Sequence, residues 1–188
     1  MKRFVNVMTL VALVAPCVTL AADLSKEEQI AQAVSPLPES LRAGATVVTY
    51  DSKGEPVILR EGTNSIVCTP DQHGETFAVS CYHKAMRAQR DMSAKLRAEG
   101  KDAKAVTAAV NAARDAGKFP APTAGMMMYN RSGKTEAEAR VLWVMLMPNA
   151  TAEATGLPTE NPKNGGPWMM NAGKPGAHVM MPQASPSK

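Results

Sequence analysis

Aromatic residues and an excess of charge are both scarce in this chain. Only 4% of the 188 residues are aromatic, and the formal net charge at pH 7 is +4. Nucleic-acid-binding surfaces combine a strong positive charge with aromatic side chains that stack on the bases. The composition therefore argues against a nucleic-acid partner. Acidic residues interrupt the main basic cluster, so we interpret it as a solvated helix face formed by Lys84, Arg87, Arg90, Lys95 and Arg97.

Motifs that carry known catalytic chemistry are also missing. The sequence contains neither a His-Glu-x-x-His metal motif nor a Gly-x-Ser-x-Gly nucleophile elbow. Residues 132–135 resemble the end of a phosphate-binding loop, but Met128 occupies the position of the required first glycine. We therefore predict a non-catalytic binding or structural domain of unknown ligand. A hydrolase whose site is assembled from distant positions is the alternative, because such a site leaves no local motif.

Long hydrophobic runs are missing after the first 22 residues. There, Lys2 and Arg3 precede an apolar run that ends in small residues before Asp23, which is typical of a cleaved export signal. A membrane anchor is the less favoured reading because the run is too short. A lipid anchor on Cys17 is disfavoured because Pro16 precedes it, where a small residue is expected. We predict a periplasmic or secreted protein with no transmembrane segment in the mature chain.

Cysteine is the next scarce residue, with three in the chain. Removal of Cys17 with the signal leaves Cys68 and Cys81, and a cysteine pair in an exported chain usually forms a disulfide. The closed loop would be short and would stabilise the fold by about 3 kcal/mol. A redox-active pair would favour a Cys-x-x-Cys spacing, which this pair does not have.

Turn residues separate short β-branched and apolar runs along the chain. Each run is typical of a strand, and the pairs on either side of Gly54 and of residues 69–74 are predicted to be hairpins. The second hairpin would carry the two cysteines at its strand ends. The predicted strands are 45–50, 56–60, 65–68, 76–80, 124–129, 141–147, 167–170 and 178–181.

Helical periodicity occurs in three segments. Ser25 and Glu28 form a capping-box pattern before a helix at 26–34. A second helix is predicted from Tyr82 to Gly100, and a third begins after Asp102, so that the last two form a helical hairpin. The sequence thus predicts an α+β fold with an antiparallel or mixed sheet, a helical hairpin and one disulfide. Its divisions are a signal peptide at 1–22, a single domain at 23–182 and a disordered tail at 183–188.

Methionine is abundant, with 13 residues in the chain. Thioether sulfur is a soft ligand that suits Cu(I), so a periplasmic copper-binding protein with Met and His ligands is an alternative function. Adjacent residues of a strand point to opposite faces, however, and a Met doublet does not present two sulfurs to one ion. We favour packing, in which methionine fills a core that is short of aromatic residues. We therefore expect no cofactor.

Three residues are the individual metal candidates: His83, Met86 and His178. Cys81, His83 and Met86 follow one another in the order of blue-copper ligands, and the last two could share a helix face. The spacing differs from that pattern, and a disulfide would occupy Cys81. The alternative is that all three residues only pack.

A ligand cleft is predicted where residues 148–167 end. This long irregular segment leads into Trp168, and His178 follows after a Gly/Pro turn. Trp168 and His178 would then lie together at one end of the sheet. The alternative is that Trp168 closes the edge of the core and His178 is an incidental strand residue.

The layout of several short motifs resembles an uncharacterised family of exported bacterial proteins. The resemblance covers most of the predicted mature chain and implies a shared architecture that includes residues 61–64 and the His178 segment. It implies no activity, cofactor or catalytic residue. The motifs are Gly44-Ala-Thr46, Leu59-Arg-Glu-Gly-Thr-Asn64, Cys68-Thr-Pro70, Cys81, Trp168 and Gly176-Ala-His178-Val-Met-Met-Pro182.

Overall fold

A mixed sheet of eight strands is the framework on which the helices lie. The structure, a computed structural model, describes residues 24–72 and 74–183. The strands are β1 (Thr46–Tyr50), β2 (Pro56–Arg60), β3 (Ile66–Thr69), β4 (Phe77–His83), β5 (Met127–Gly133), β6 (Arg140–Leu146), β7 (Trp168–Met170) and β8 (His178–Pro182). The helices are α1 (Lys26–Val34), α2 (Glu39–Arg42), α3 (Arg87–Ala98), α4 (Ala103–Asp115) and α5 (Ala152–Thr155).

The order of strands across the sheet is β2-β1-β3-β4-β5-β6-β8-β7. Neighbouring strands are antiparallel except for β1 and β3, which run parallel. The predicted α+β class with a mixed sheet and one disulfide is confirmed. Within the described ranges no helix is long and apolar enough to cross a membrane.

Helix α1 begins at the predicted capping box and covers one face of the sheet. The Ser25 hydroxyl accepts from the Glu28 amide, and the Glu28 carboxylate accepts from the Ser25 amide at 2.8 Å. The last turn then buries Ala33 and Val34 in the larger core cluster. The fully buried members of that cluster, all at 0% exposure, are Ala33, Ala45, Val47, Cys68 and Cys81.

The predicted disulfide joins β3 to β4 beneath α1. Cys68 and Cys81 are directly opposite each other, with a sulfur–sulfur distance of 2.03 Å. The Sγ atom of Cys81 also lies 3.2 Å from the carbonyl oxygen of Ala33. The cysteines lie inside the paired region rather than at the strand ends, because β4 continues to His83.

The predicted start of the helical hairpin is wrong by five residues. Tyr82 belongs to β4, a short 3-10 turn spans Lys84–Met86, and α3 begins at Arg87. Tyr82 and Met86 still contact the same small cluster with Val48 and Val67, one from a strand and one from the turn. Tyr82 and Met86 are four residues apart, which matches the period of a helix although the two residues belong to different elements.

Helix α4 agrees with its predicted signals. The Asp102 side chain accepts from the Ala105 amide at 2.8 Å and caps the first turn. Of the four residues whose spacing predicts an inward face, Val106, Val110 and Ala113 are buried and Ala103, in the first turn, is exposed.

The hairpin of β5 and β6 is longer than predicted. The predicted strand 124–129 ends too early, because β5 continues through Gly133, which pairs with Phe77 of β4. Arg131 and Ser132 belong to this strand although they are polar, because their backbones pair with β4 on one side and with β6 on the other.

The remaining predictions concern the irregular segment 148–167 and the two ends of the chain. Residues 148–167 are irregular except for α5. The predicted signal peptide at 1–22 and most of the predicted tail lie outside the described residues. Gln183, the first residue of that tail, donates its amide to the Val141 carbonyl and so remains paired with β6.

Removing the disulfide should lower the free energy of unfolding by about 3 kcal/mol, because a crosslink across 13 residues restricts the unfolded chain. The test is urea denaturation of the Cys68→Ala, Cys81→Ala double variant. The unchanged protein measured in reductant is the control and should lose a similar amount. Equal stability of the variant and the oxidised protein would contradict this prediction.

Candidate functional site

The face of the sheet that points away from α1 carries a row of large side chains. Cross-strand partners of an antiparallel pair share a face, so the register defines this row across five strands. From β4 to the sheet edge at β7 it consists of Tyr82, Met128, Val144, Met180 and Trp168. All but Tyr82 lie in the half of the sheet formed by β5, β6, β8 and β7.

Helix α3 is attached to this face at the other half of the sheet. Gly54, in the turn between β1 and β2, has φ +75°, and a Cβ there would lie 2.6 Å from the Ala94 carbonyl oxygen. The turn therefore contacts the helix backbone directly. Beside it, Lys95 and Glu55 form an ion pair at 2.8 Å.

A partly buried polar contact completes this attachment. The Tyr50 hydroxyl donates to Asp91 Oδ1 at 2.8 Å, and Arg87 Nε donates to both carboxylate oxygens of Asp91 at 2.8 and 3.0 Å. Burial raises the pKa of Tyr50 well above its ordinary value, and the neighbouring Tyr82 and Asp91 raise it further. Tyr50 therefore stays protonated, and its hydroxyl continues to donate a hydrogen bond to Asp91.

A cleft of about 990 Å³ opens where α3 and α4 pass over the unattached half of the sheet. We call this space the hairpin cleft. Its floor is mainly apolar, with Met128, Leu142, Val144, Leu146 and Met180, and its polar members are Asn130 and His178. Its roof comes from α3, α4 and the segment 117–122, including Gln89, Arg90, Val110, Arg114 and Phe119. Concave, mainly apolar space with a few polar groups is typical of small-molecule sites.

Two of the three metal candidates line this cleft. Met86 lies at the roof and His178 at the floor. His83 pairs with Ile66 on the opposite face, and its Nδ1 accepts from the Ala85 amide at 3.3 Å. The expectation that His83 and Met86 share a helix face is wrong, because His83 ends a strand.

Trp168 and His178 lie on the same face, as the predicted ligand cleft requires. Trp168 is paired with Met180, and His178 with Met170, so the two predicted residues are diagonal neighbours on β7 and β8. Only His178 reaches the hairpin cleft, while partly buried Trp168 lies one strand further out at the sheet edge. The cleft is thus bounded by the helical hairpin, not by residues 148–167.

His178 is oriented by a backbone contact. Its Nδ1 lies 2.8 Å from the Gly176 carbonyl oxygen. A carbonyl only accepts, so Nδ1 carries the proton in this contact and Nε2 is the free ring nitrogen.

The methionines alternate between the faces, as strand geometry predicts. Met126, Met128 and Met180 line the hairpin cleft together with Met86, whereas Met127 packs against the core cluster beneath α1. Among the residues that the structure describes, His, Cys, Asp and Glu side chains form no group of three or more that could hold a metal ion.

Arg90 was missed as a site residue by the sequence analysis. Its guanidinium carbon lies 5.0 Å from the Tyr82 ring centroid, and the residue lines the hairpin cleft. Burial lowers the pKa of Arg90, and Arg97 adds to that effect, but an arginine remains charged at neutral pH. The interpretation of the basic cluster as a solvated face is wrong for Arg90 and for Arg87, which pairs with Asp91.

A second opening of about 620 Å³ lies on the other side of α3, and Arg90 lines both spaces. Tyr82 lines this second opening, and its hydroxyl is buried without a hydrogen-bond partner in the described part of the chain. Arg90 therefore lies between the two spaces, and the Tyr82 ring that it contacts lies on the side of the second opening. No signal in the sequence separates Arg90 from its exposed neighbours.

Comparison with known proteins identifies no relative. No protein-family model, no curated protein and no solved structure matches the chain. The resemblance to a family of exported bacterial proteins therefore stays a prediction.

The raised pKa of Tyr50 makes stability depend on pH in the alkaline range. The unfolded chain ionises its tyrosines near pH 10, before folded Tyr50 does, so the free energy of unfolding should fall as the pH rises above about 10. The test is chemical denaturation between about pH 9 and about pH 11. Tyr50→Phe should show a smaller fall. An identical pH dependence in both proteins would contradict this assignment.

Proposed function

We propose that the protein is an exported, non-catalytic domain that binds a small apolar ligand in the hairpin cleft. The observation that carries the proposal is the incomplete attachment of the helical hairpin. Contacts with Gly54, Tyr50 and Glu55 hold α3 over one half of the sheet, and an apolar floor lies beneath the hairpin in the other half. Transfer of an apolar ligand from water to such a floor is favourable.

The polar groups of the cleft support binding rather than catalysis. The Ser93 hydroxyl donates to the Gln89 carbonyl at 2.8 Å, and His178 Nδ1 is held by the Gly176 carbonyl. A nucleophilic serine instead needs a hydrogen bond to its base, and the base needs a group that orients it for proton transfer. The hydrolase alternative would require Ser93 to give up its helix contact.

Export is part of the same proposal. The sequence pattern at residues 1–22 predicts a cleaved signal, and the buried Cys68–Cys81 disulfide is compatible with an oxidising compartment. The intact mass of protein recovered from the periplasm or medium should correspond to a chain without residues 1–22. A mass that retains those residues, or one that includes a lipid on Cys17, would contradict the export proposal.

Ligand binding can be tested with N-phenyl-1-naphthylamine, an uncharged probe that fluoresces in apolar surroundings. Saturable binding to the folded protein is expected. Leu142→Trp should weaken it at least about tenfold, because the larger ring fills the floor of the cleft. Val57→Trp is the matched control, since Val57 is 43% exposed on the edge strand β2.

Thermal melting of both variants checks that the fold is intact. Equal probe affinity in the Leu142→Trp variant and the unchanged protein would place binding elsewhere. A lack of saturable binding in the unchanged protein would overturn the proposed function.

Copper binding is the second candidate, because Met86, Met126, Met128, Met180 and His178 all line the hairpin cleft. Soft thioether ligands suit Cu(I). Met128 and Met180 are, however, separated by Val144 and thus by two strand spacings, about 10 Å between backbones. The wide spacing makes this candidate the weaker one, and copper analysis of protein isolated from the periplasm separates the two.

A further inference from the structure

We propose that Arg90 binds the oxyanion headgroup of an amphiphile whose aliphatic chain lies on the floor of the hairpin cleft. This inference rests on the proposed function and names the chemistry of its ligand. The ligand class is a single-chain carboxylate or phosphate. The juxtaposition that supports it is a partly buried, unpaired guanidinium directly beside an apolar floor.

The first step is that Arg90 lacks an anionic partner. Within residues 24–72 and 74–183, no carboxylate pairs with its guanidinium, and its contact is with the ring of Tyr82. Arg87 and Arg131, by comparison, pair with Asp91 and Glu136. A cation–π contact uses the charge of a guanidinium but none of its five N–H donors.

The second step is that these donors favour an oxyanion. A guanidinium removed from water loses hydration that a cation–π contact only partly replaces. Carboxylate and phosphate groups fit its fork of donors with two parallel hydrogen bonds. Such a headgroup would supply hydrogen-bond acceptors for the N–H donors of Arg90.

The third step is that an apolar path begins beside this position. Tyr82 is paired with Met128, and the row continues through Val144 to Met180. That row spans three strand spacings, about 14 Å, which is comparable with an extended dodecyl chain. A headgroup at Arg90 therefore places the chain of the ligand on the methionine and valine floor.

The other charged groups of the cleft are less suited to the headgroup. Arg114 already donates to Asn111 at 2.8 Å and to Gln89 at 3.2 Å. Its neighbour Asp115 is exposed and negative, so it disfavours an anion at that end of the cleft. Arg90 is the cation whose donors and surroundings both favour an oxyanion.

Three probes of equal chain length test the inference: dodecanoate, dodecyl phosphate and dodecan-1-ol. The two anions are titrated below their micelle concentrations and the alcohol below its solubility limit, and displacement of N-phenyl-1-naphthylamine gives each affinity. At least one anion should bind about tenfold to a hundredfold more tightly than the alcohol, as a hydrogen bond to a charged group would give. The tighter of the two anions identifies the headgroup as carboxylate or phosphate.

Arg90→Gln should reduce the affinity for both anions to that for the alcohol and leave the alcohol affinity unchanged. Arg114→Gln is the matched control and should keep the preference for the anion. Arg90→Lys should keep part of the preference, because it retains the charge but not the fork of donors. Thermal melting shows which variants remain folded.

The outcomes separate this inference from the proposed function. Equal affinity for all three probes in the unchanged protein would overturn the role of Arg90 and leave the apolar cleft intact. Loss of the preference in Arg114→Gln would also overturn it, by placing the headgroup at Arg114. Failure of the neutral fluorescent probe to bind would overturn the proposed function itself. If Arg90→Gln does not fold, Arg90→Lys, Arg114→Gln and the unchanged protein still decide the question.

Discussion

The contact between Gly54 and the backbone of α3 is the constraint on which the arrangement of the helical hairpin depends. A side chain at this position would collide with the Ala94 carbonyl, so the absence of one allows the β1–β2 turn to lie against the helix. The Tyr50–Asp91 hydrogen bond and the Lys95–Glu55 ion pair then fix α3 at the same end. Helix α4 packs against α3, and the two helices together extend over the rest of the sheet.

Under the hairpin, charged groups near this attachment have charged partners, whereas a charged group further along α3 does not. Near the attachment, Asp91 is satisfied by Tyr50 and Arg87. One turn from Arg87 along α3, no carboxylate of the described residues pairs with the Arg90 guanidinium, which lies over the Tyr82 ring. Folded proteins usually provide hydrogen-bond partners for buried polar groups, so the environment of Arg90 is unusual for a partly buried charge.

Local signals predicted local structure well. Ser25 and Asp102 cap the helices that their positions indicate, because a cap depends on residues three apart. The start of α3 was misjudged because Tyr82 and Met86 serve the same cluster from different elements. The cleft and the environment of Arg90 were not predictable, since both depend on the distance between the helical hairpin and the sheet, which no local sequence pattern encodes.

At the proposed ligand site, the composition of the cleft floor would determine how strictly the shape of a ligand is discriminated. Met128 and Met180 have unbranched, polarisable side chains that change rotamer at little cost, unlike the stiff β-branched Val144 between them. A surface of this kind adapts its contour to whatever lies on it, and adaptable methionine surfaces are typical of promiscuous binding proteins. We therefore expect steric complementarity to be loose, so that chains of different length or branching are tolerated on the same floor.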